Sequence, residues 1–242
     1  ENLKVTHYRN GDPIPNVTSN SEWTGLSTGA YGVYDNNESH ADTYGYLYNW
    51  YTVDDGRNIA PTGWHVPTDN EWQTLVDYLG GSSVAGGKMK EAGTTHWKSP
   101  NTGATNESGL SVLPGGFRHW DDYFDYILSL AVAEFWSSTE SNSSSAWYRT
   151  LSYDDSDVDR HDYANRCGFS VRCVKDTVKP EPKVPLTVAT VSMSAVTDTE
   201  ANLQTFFSYM EEAAEHGAHL IVFPEIALQQ NPGWGRSSYQ PT

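Results

Sequence analysis

Two acidic and aromatic segments in the second half of the chain, residues 121–133 and 154–166, contain the side chains best suited to binding chemistry. Aromatic rings stack on sugar rings, and Tyr, Trp and Arg side chains anchor protein interfaces. These segments and their flanks therefore predict a ligand-contacting surface, with the alternative that Trp120 and Tyr148 are core residues. The candidate ligand-binding residues are His119, Trp120, Tyr123, Tyr126, Tyr148, Tyr153, Asp155, Arg160 and Asn165, and the second segment also holds Tyr163.

Paired carboxylates are a second candidate chemistry. Glycoside hydrolysis uses two carboxyl groups that lie roughly 5–9.5 Å apart. Glu134 and Glu140 flank an apolar strand-like pair, and Asp69 opens a predicted helix. These three residues could supply a catalytic acid and its partner; alternatively, Glu134 and Glu140 are rim residues with no chemical role.

A run of aspartates suggests a cation site as a third possibility. On a strand, Asp155, Asp157 and Asp159 share one face, where Ca²⁺ could gather their carboxylates. The run is not an EF-hand, because it lacks the central glycine and has Arg166 at the position of the bidentate glutamate. The alternative is a solvated acidic loop, and no other cofactor is predicted.

Apolar, glycine-containing segments frame these candidate residues. We predict strands at 135–136, 146–151 and 169–174, with anchors at 115–118 and 168–176. Binding residues usually lie on loops carried by such a rigid scaffold.

A well-marked helix start and an aromatic strand precede this frame. Thr68 and Glu71 form a capping-box pattern. Apolar residues then recur at helical spacing, and a shorter helix is predicted at 84–91, despite two internal glycines that lower helix propensity. Residues 44–51 are predicted to form one aromatic strand. The apolar helix positions are Trp72, Leu75, Val76 and Leu79.

The charge and composition disfavour several classes of partner. A formal net charge of −16 leaves no basic footprint for nucleic acid or an anionic membrane surface. No run of about 18 apolar residues is present, so no membrane-spanning helix is predicted.

The first five residues resemble the interior of a strand, and we expect that the N-terminus was processed or cut from a longer protein.

The two cysteines, Cys167 and Cys173, are expected to be free thiols. On one strand they would lie roughly 20 Å apart, whereas a disulfide needs Cα atoms within about 7 Å. Only a turn near Gly168 would bring them together.

Composition changes after residue 176. Residues 177–185 form a proline-spaced linker. Residues 186–193 and 220–223 are predicted strands, and a helix capped by Thr197 or Asp198 lies between them. This βαβ unit cannot bury both faces of its strands by itself.

The motifs of residues 1–176 resemble the Fibrobacter succinogenes major paralogous domain family. The matching motifs include YGYLYNWY at 44–51, APTGWHVP at 60–67, LPGGFR at 113–118, FWSSTE at 135–140 and GFSVRC at 168–173. The resemblance implies an α+β, C-type-lectin-like domain with a twisted antiparallel sheet and two helices, similar to formylglycine-generating enzymes. It also implies a secreted or cell-surface bacterial module, from an anaerobic gut or rumen community.

Residues 186–242 resemble the start of the carbon–nitrogen hydrolase (nitrilase) superfamily. The match includes LIVFPE at 220–225, in which Glu225 would be the general base. That family also needs a lysine and a nucleophilic cysteine further along, and neither follows within these residues. A base without a nucleophile performs no acyl transfer, so this truncated tail is expected to be inert.

Together these observations predict an extracellular binding module for a glycan or a surface protein. The first alternative is a polysaccharide-acting glycoside hydrolase that uses paired carboxylates. The second is a fragment of a carbon–nitrogen hydrolase.

Overall fold

A computed structural model describes residues 1–121, 124–125, 130–177, 187–192 and 198–223, with the backbone alone at 124–125. The chain divides into two compact units, residues 1–177 and 178–242. The predicted site residues Tyr123, Tyr126 and Glu225 lie outside the described residues.

The first unit combines short helices with antiparallel strands. Its helices are α1 (Asn20–Thr24), α2 (Glu38–Tyr44), α3 (Trp50–Val53), α4 (Asp69–Tyr78) and α5 (Ser82–Met89). Its strands are β1 (Tyr31–Gly32), β2 (Leu47–Asn49), β3 (Trp64–His65), β4 (Phe117–Arg118), β5 (Phe124–Asp125), β6 (Val132–Asn142), β7 (Ser145–Ser152), β8 (Asp159–Ala164), β9 (Gly168–Phe169) and β10 (Val174–Lys175).

These strands form three sheets, whose orders are β1-β2-β9-β4-β5, β6-β7-β8 and β10-β3. Every pairing within them is antiparallel. The isolated bridge between Phe135 and Ser170 brings β6 beside the end of β9. The first unit is therefore α+β with a curled antiparallel sheet, and α1, α2 and α3 add to the two predicted helices, α4 and α5.

The aromatic segment 44–51 is not one strand, so that prediction was wrong. Only Leu47–Asn49 is extended, and α3 follows at once. Asn49 causes the change, because its buried side chain accepts hydrogen bonds from the backbone N–H and the hydroxyl of Thr52, at 3.2 and 2.9 Å. A side-chain cap of this kind starts a helix. The predicted strand 169–174 is also divided, into β9 and β10.

Buried tryptophans join the elements of the core. The indole N–H of Trp136 donates to the Tyr48 carbonyl at 2.9 Å, and that of Trp50 donates to the Ser137 carbonyl at 2.9 Å. A buried indole needs such an acceptor. These two bonds fix β2 and α3 against β6, so the core specifies where the late strands lie.

The second unit is the predicted βαβ unit. Strands β11 (Val188–Thr190) and β12 (Leu220–Val222) pair in parallel, and α6 (Thr199–Glu215) connects them. Asp198 is the N-cap, accepting from the N–H groups of Glu200 and Ala201. Among the helices of the described residues, none is long and apolar enough to cross a membrane.

Candidate functional site

The three-stranded sheet separates the predicted ligand-binding residues onto two faces. Register places Tyr148 opposite His161 and Arg149 opposite Arg160. Because successive side chains alternate between faces, Tyr148 and Arg160 lie on opposite sides of the sheet. These two predicted residues therefore do not share one surface.

One face carries a set of side chains that we call the aromatic cluster, defined as His119, Trp120, Tyr148, His161 and Tyr163. The ring centroids of neighbouring members are 5.5 to 6.2 Å apart. The Tyr163 hydroxyl is 2.7 Å from Nε2 of His119, and the Asp121 carboxylate contacts Nδ1. His119 is thus held at both ring nitrogens, while Trp120 is 44% exposed.

Strands β4 and β8 position this cluster. His119 directly follows Arg118, whose buried guanidinium donates to the Val17 carbonyl at 2.5 Å and lies 4.2 Å from the Trp23 ring. From β8, Tyr163 packs with its ring centroid 6.3 Å from that of Phe169. His161 was missed as a site residue by sequence reasoning, although its position two residues before Tyr163 places both on one strand face.

The opposite face carries an ion-pair network, and Arg149 and Arg160 also line a small cavity of about 310 Å³ there. The Asp69 carboxylate accepts from Nη1 of Arg149 at 2.6 Å and from Nε and Nη2 of Arg160 at 3.0 Å. The Arg160 guanidinium also lies 3.3 Å from the Trp147 ring centroid. Burial raises the pKa of Asp69, but the two guanidinium groups outweigh it and hold that pKa below its usual value. A carboxylate so engaged is poorly suited to act as a general acid.

The other two candidate carboxylates are far apart. Glu134 is buried on β6 and pairs with Thr150, whereas Glu140 is exposed and pairs with Ala146. Their partners on β7 are four residues apart, which corresponds to about 13 Å. This distance exceeds the separation of the two carboxyl groups used in glycoside hydrolysis.

Glu134 also affects a member of the aromatic cluster. Burial, and then the charge of Glu134, raise the pKa of Tyr148.

The aspartate run is organised by a buried lysine. Nζ of Lys90 donates to the carbonyl oxygens of Thr102, Ser152 and Asp155 at 3.0, 2.7 and 2.6 Å. The Asp155 carboxylate accepts from the backbone N–H of Asp157 at 2.9 Å. In the part of the chain that the structure describes, no group of three His, Cys, Asp or Glu side chains could hold a metal ion, and this includes Asp155, Asp157 and Asp159.

The remaining predicted residues have structural contacts. The Tyr153 ring packs with Lys98, whose Nζ is 4.6 Å from the ring centroid. Asn165 is buried, and its backbone carbonyl accepts a hydrogen bond from the backbone N–H of Trp50 at 2.9 Å. Neither side chain belongs to the aromatic cluster.

An apolar groove of about 1090 Å³ lies elsewhere on the first unit. Its walls include residues 1–5, Trp64 of β3, one side of α4 from Glu71 to Tyr78, and Val174 at the start of β10. Trp64 and Tyr78 line the groove, and these residues are 40% and 85% exposed. None of the predicted ligand-binding residues lines this groove, which sequence reasoning did not anticipate.

Comparison with protein-family models assigns the first unit. The model described as Fibrobacter succinogenes major domain matches residues 1–175. The chain belongs to this family. The model described as carbon-nitrogen hydrolase matches residues 187–240. No curated protein and no solved structure matches the chain.

Both surfaces described above lie within the part matched by the Fibrobacter succinogenes major domain. The aromatic cluster ends at Tyr163, and the groove is lined by residues from Glu1 to Val174.

Proposed function

We propose that residues 1–177 form a secreted or cell-surface glycan-binding module with a C-type-lectin-like fold, which contacts its ligand through the aromatic cluster. The observation that carries this proposal is the exposed indole of Trp120 beside a histidine that is held at both ring nitrogens. An exposed planar ring on a fixed support is suited to stacking on a sugar ring.

The hydrogen-bonding groups of the cluster fit a hydroxyl-rich ligand. His161 is exposed on β8, two residues before Tyr163, and the carboxylate of Asp121 contacts His119. Imidazole and carboxylate groups both exchange hydrogen bonds with hydroxyls. Because His119 is already fixed by Asp121 and Tyr163, little conformational freedom is lost when a ligand binds.

The net charge narrows the class of glycan. A formal charge of −16 repels anionic polymers at low ionic strength. A neutral oligosaccharide is therefore a better ligand for this surface than a uronic-acid polymer.

Replacement of two exposed tryptophans tests the proposal. Trp120→Ala removes the stacking ring, whereas Trp64→Ala removes a similarly exposed indole that lies at the groove. On arrays of neutral oligosaccharides, we expect Trp120→Ala to weaken binding by about tenfold or more, as loss of an aromatic hot spot does. Trp64→Ala should bind as the unchanged protein does.

Three outcomes contradict the proposal. The first is equal retention of the Trp120→Ala variant and the unchanged protein. The second is binding to a protein surface with no retention on any glycan, which would favour the protein-recognition alternative. The third is release of reducing sugar, which would indicate a hydrolase.

A further inference from the structure

His65 lies between two carboxylates that come from distant parts of the first unit. Its Nδ1 is 2.7 Å from Oδ1 of Asp176, and its Nε2 is 2.8 Å from Oε1 of Glu71. His65 is on β3, Glu71 is in the first turn of α4, and Asp176 directly follows β10. One imidazole therefore ties the end of β10 to α4.

The protonation state of His65 decides whether both contacts can exist. The imidazolium ion has two N–H donors, whereas neutral imidazole has one N–H donor and one acceptor. Ionised carboxylates only accept. Both hydrogen bonds are therefore present together only while His65 is protonated, and deprotonation places a lone pair against one carboxylate.

The contact to Asp176 is the one expected to break. Glu71 is also held by the backbone N–H and the hydroxyl of Thr68, both of which donate to Oε2, at 2.8 and 2.9 Å. Among the described residues, the hydrogen-bond partner of the Asp176 carboxylate is His65. Glu71 keeps its hydrogen bonds with Thr68 when His65 loses its proton. The contact that His65 loses is therefore the one to Asp176.

We propose that His65 is a pH-dependent latch that holds the end of β10 closed against α4 and so fixes one wall of the apolar groove. Trp64, Glu71 and Val174 all line that groove. When His65 is protonated, the wall is fixed. When His65 is neutral, Asp176 is released, and the hydrogen bond from its backbone N–H to the Gly63 carbonyl, 2.9 Å long, opens more often.

Two basic side chains lie near His65, and the amino group of Glu1, whose pKa burial lowers from 8.0, lines the same groove. Arg9 donates to the carbonyl oxygens of Trp64 and Pro61 at 2.8 and 3.1 Å, and Lys175 is on β10. Burial raises the pKa of Glu71, but hydrogen bonds from Thr68 and His65 outweigh it, so the net pKa lies below its usual value.

The direction of the pH effect follows from the two carboxylates. Hydrogen bonds to Asp176, and then to Glu71, raise the pKa of His65 above its usual 6.5. The stabilisation is therefore fully present below pH 6.5 and is lost as the pH rises through the raised pKa of His65.

Hydrogen exchange of the Asp176 backbone N–H measures how often the contact between His65 and Asp176 opens. In the full chain, ¹⁵N NMR follows the imidazole nitrogens of His65 and the protection factor of the Asp176 N–H between pH 5 and about 9. We expect the protection factor to fall about tenfold as His65 loses its proton. A constant protection factor across that titration would overturn the proposal.

Three variants separate the latch from general effects of pH. In Asp176→Asn, the amide can either donate or accept, so the pH step should disappear while protection remains. In His65→Ala, which removes both ring nitrogens, protection should be low at every pH. The control is His96→Ala, because only Nδ1 of His96 contacts a carboxylate, that of Glu91. This control should leave the step at Asp176 unchanged.

The exposed position of Asp176 keeps the test valid if His65→Ala fails to fold, because Asp176→Asn is expected to fold. Retention of the full pH step in the Asp176→Asn variant would contradict the latch, since the step would then come from a different group.

Discussion

Nη1 of Arg149 lies 2.6 Å from Oδ1 of Asp69, with the arginine side chain 1% exposed and the aspartate 13% exposed. Nη2 of the same guanidinium donates to the backbone carbonyl of Asp69 at 3.2 Å. The pair attaches the first turn of α4 to the middle of β7. A buried guanidinium without its carboxylate would be an uncompensated charge.

Asp69→Asn should destabilise the first unit by about 3 kcal/mol, because it leaves the buried charge of Arg149 unpaired. Urea unfolding followed by tryptophan fluorescence measures the change in free energy of unfolding. Asp77→Asn on the same helix is the control, since Asp77 contacts only Gln73 among described side chains. A loss of less than about 1 kcal/mol in Asp69→Asn would show that the pair contributes little.

Acid should remove the contribution that the Asp69 carboxylate makes to the free energy of unfolding. The pKa of this carboxyl is below its usual value of 3.8 in the folded protein, so the folded state binds its proton less readily than the unfolded state does. The stabilisation is present above pH 3.8 and is lost as the pH falls through the lowered pKa. Thermal melts should show that the stability difference between the unchanged protein and Asp69→Asn shrinks below pH 4.

Lys90→Met should cost about 3 kcal/mol of unfolding free energy. The lysine side chain is fully buried, and its ammonium group satisfies three carbonyl oxygens that methionine cannot serve. Lys88→Met provides the control, because Lys88 makes a partly exposed ion pair with Glu107 at 3.4 Å. Chemical denaturation measures the free energy of unfolding of both variants. Equal values for Lys90→Met and Lys88→Met would contradict a structural role for Lys90.

Gly86→Ala should destabilise the protein although alanine favours helices. A Cβ at this position of α5 would overlap the carbonyl oxygen of Asp157. The helix propensity gained is about 1 kcal/mol, whereas forced overpacking against backbone costs about 1–3 kcal/mol or more. We expect a net loss of about 2 kcal/mol. Ser83→Ala on the exposed side of α5 is the control, and a gain in melting temperature for Gly86→Ala would refute the close approach.

Cys173 should react slowly in the folded protein. Both cysteines are free thiols, as expected, and burial raises the pKa of Cys173 to about 11. Burial also raises the pKa of Cys167, which is completely enclosed. Because the thiolate is the reactive form, labelling by an aromatic disulfide at pH 8 should be at least 100-fold slower than in urea. Rapid labelling of either cysteine without denaturant would contradict this.

Local signals predicted α4 well. The capping box of Thr68 and Glu71 is present, and α4 buries Trp72 and Val76 as the spacing indicated. Capping and periodicity depend on residues within one or two turns, so they can be recognised from the chain alone. The same is true of the apolar strands β6 and β7.

The candidate site was predicted only in part. The Tyr163 ring contacts those of both His119 and Tyr148, but Arg160 is on the other face of the sheet, with Asp69. Which face a residue occupies depends on strand register, and a shift of one residue reverses every side chain. Register is set by contacts between distant segments, so local patterns could not assign it.

The sequence alone determined the family, the α+β class, the capped helix α4 and the parallel βαβ unit, because each depends on motifs or on short-range periodicity. Tertiary structure decided that His119 meets Tyr163 across 44 residues, and that His65 bridges α4 and the end of β10. The physical reason is that these contacts are set by how sheets and loops pack. Their chemistry arises from neighbours that are remote along the chain.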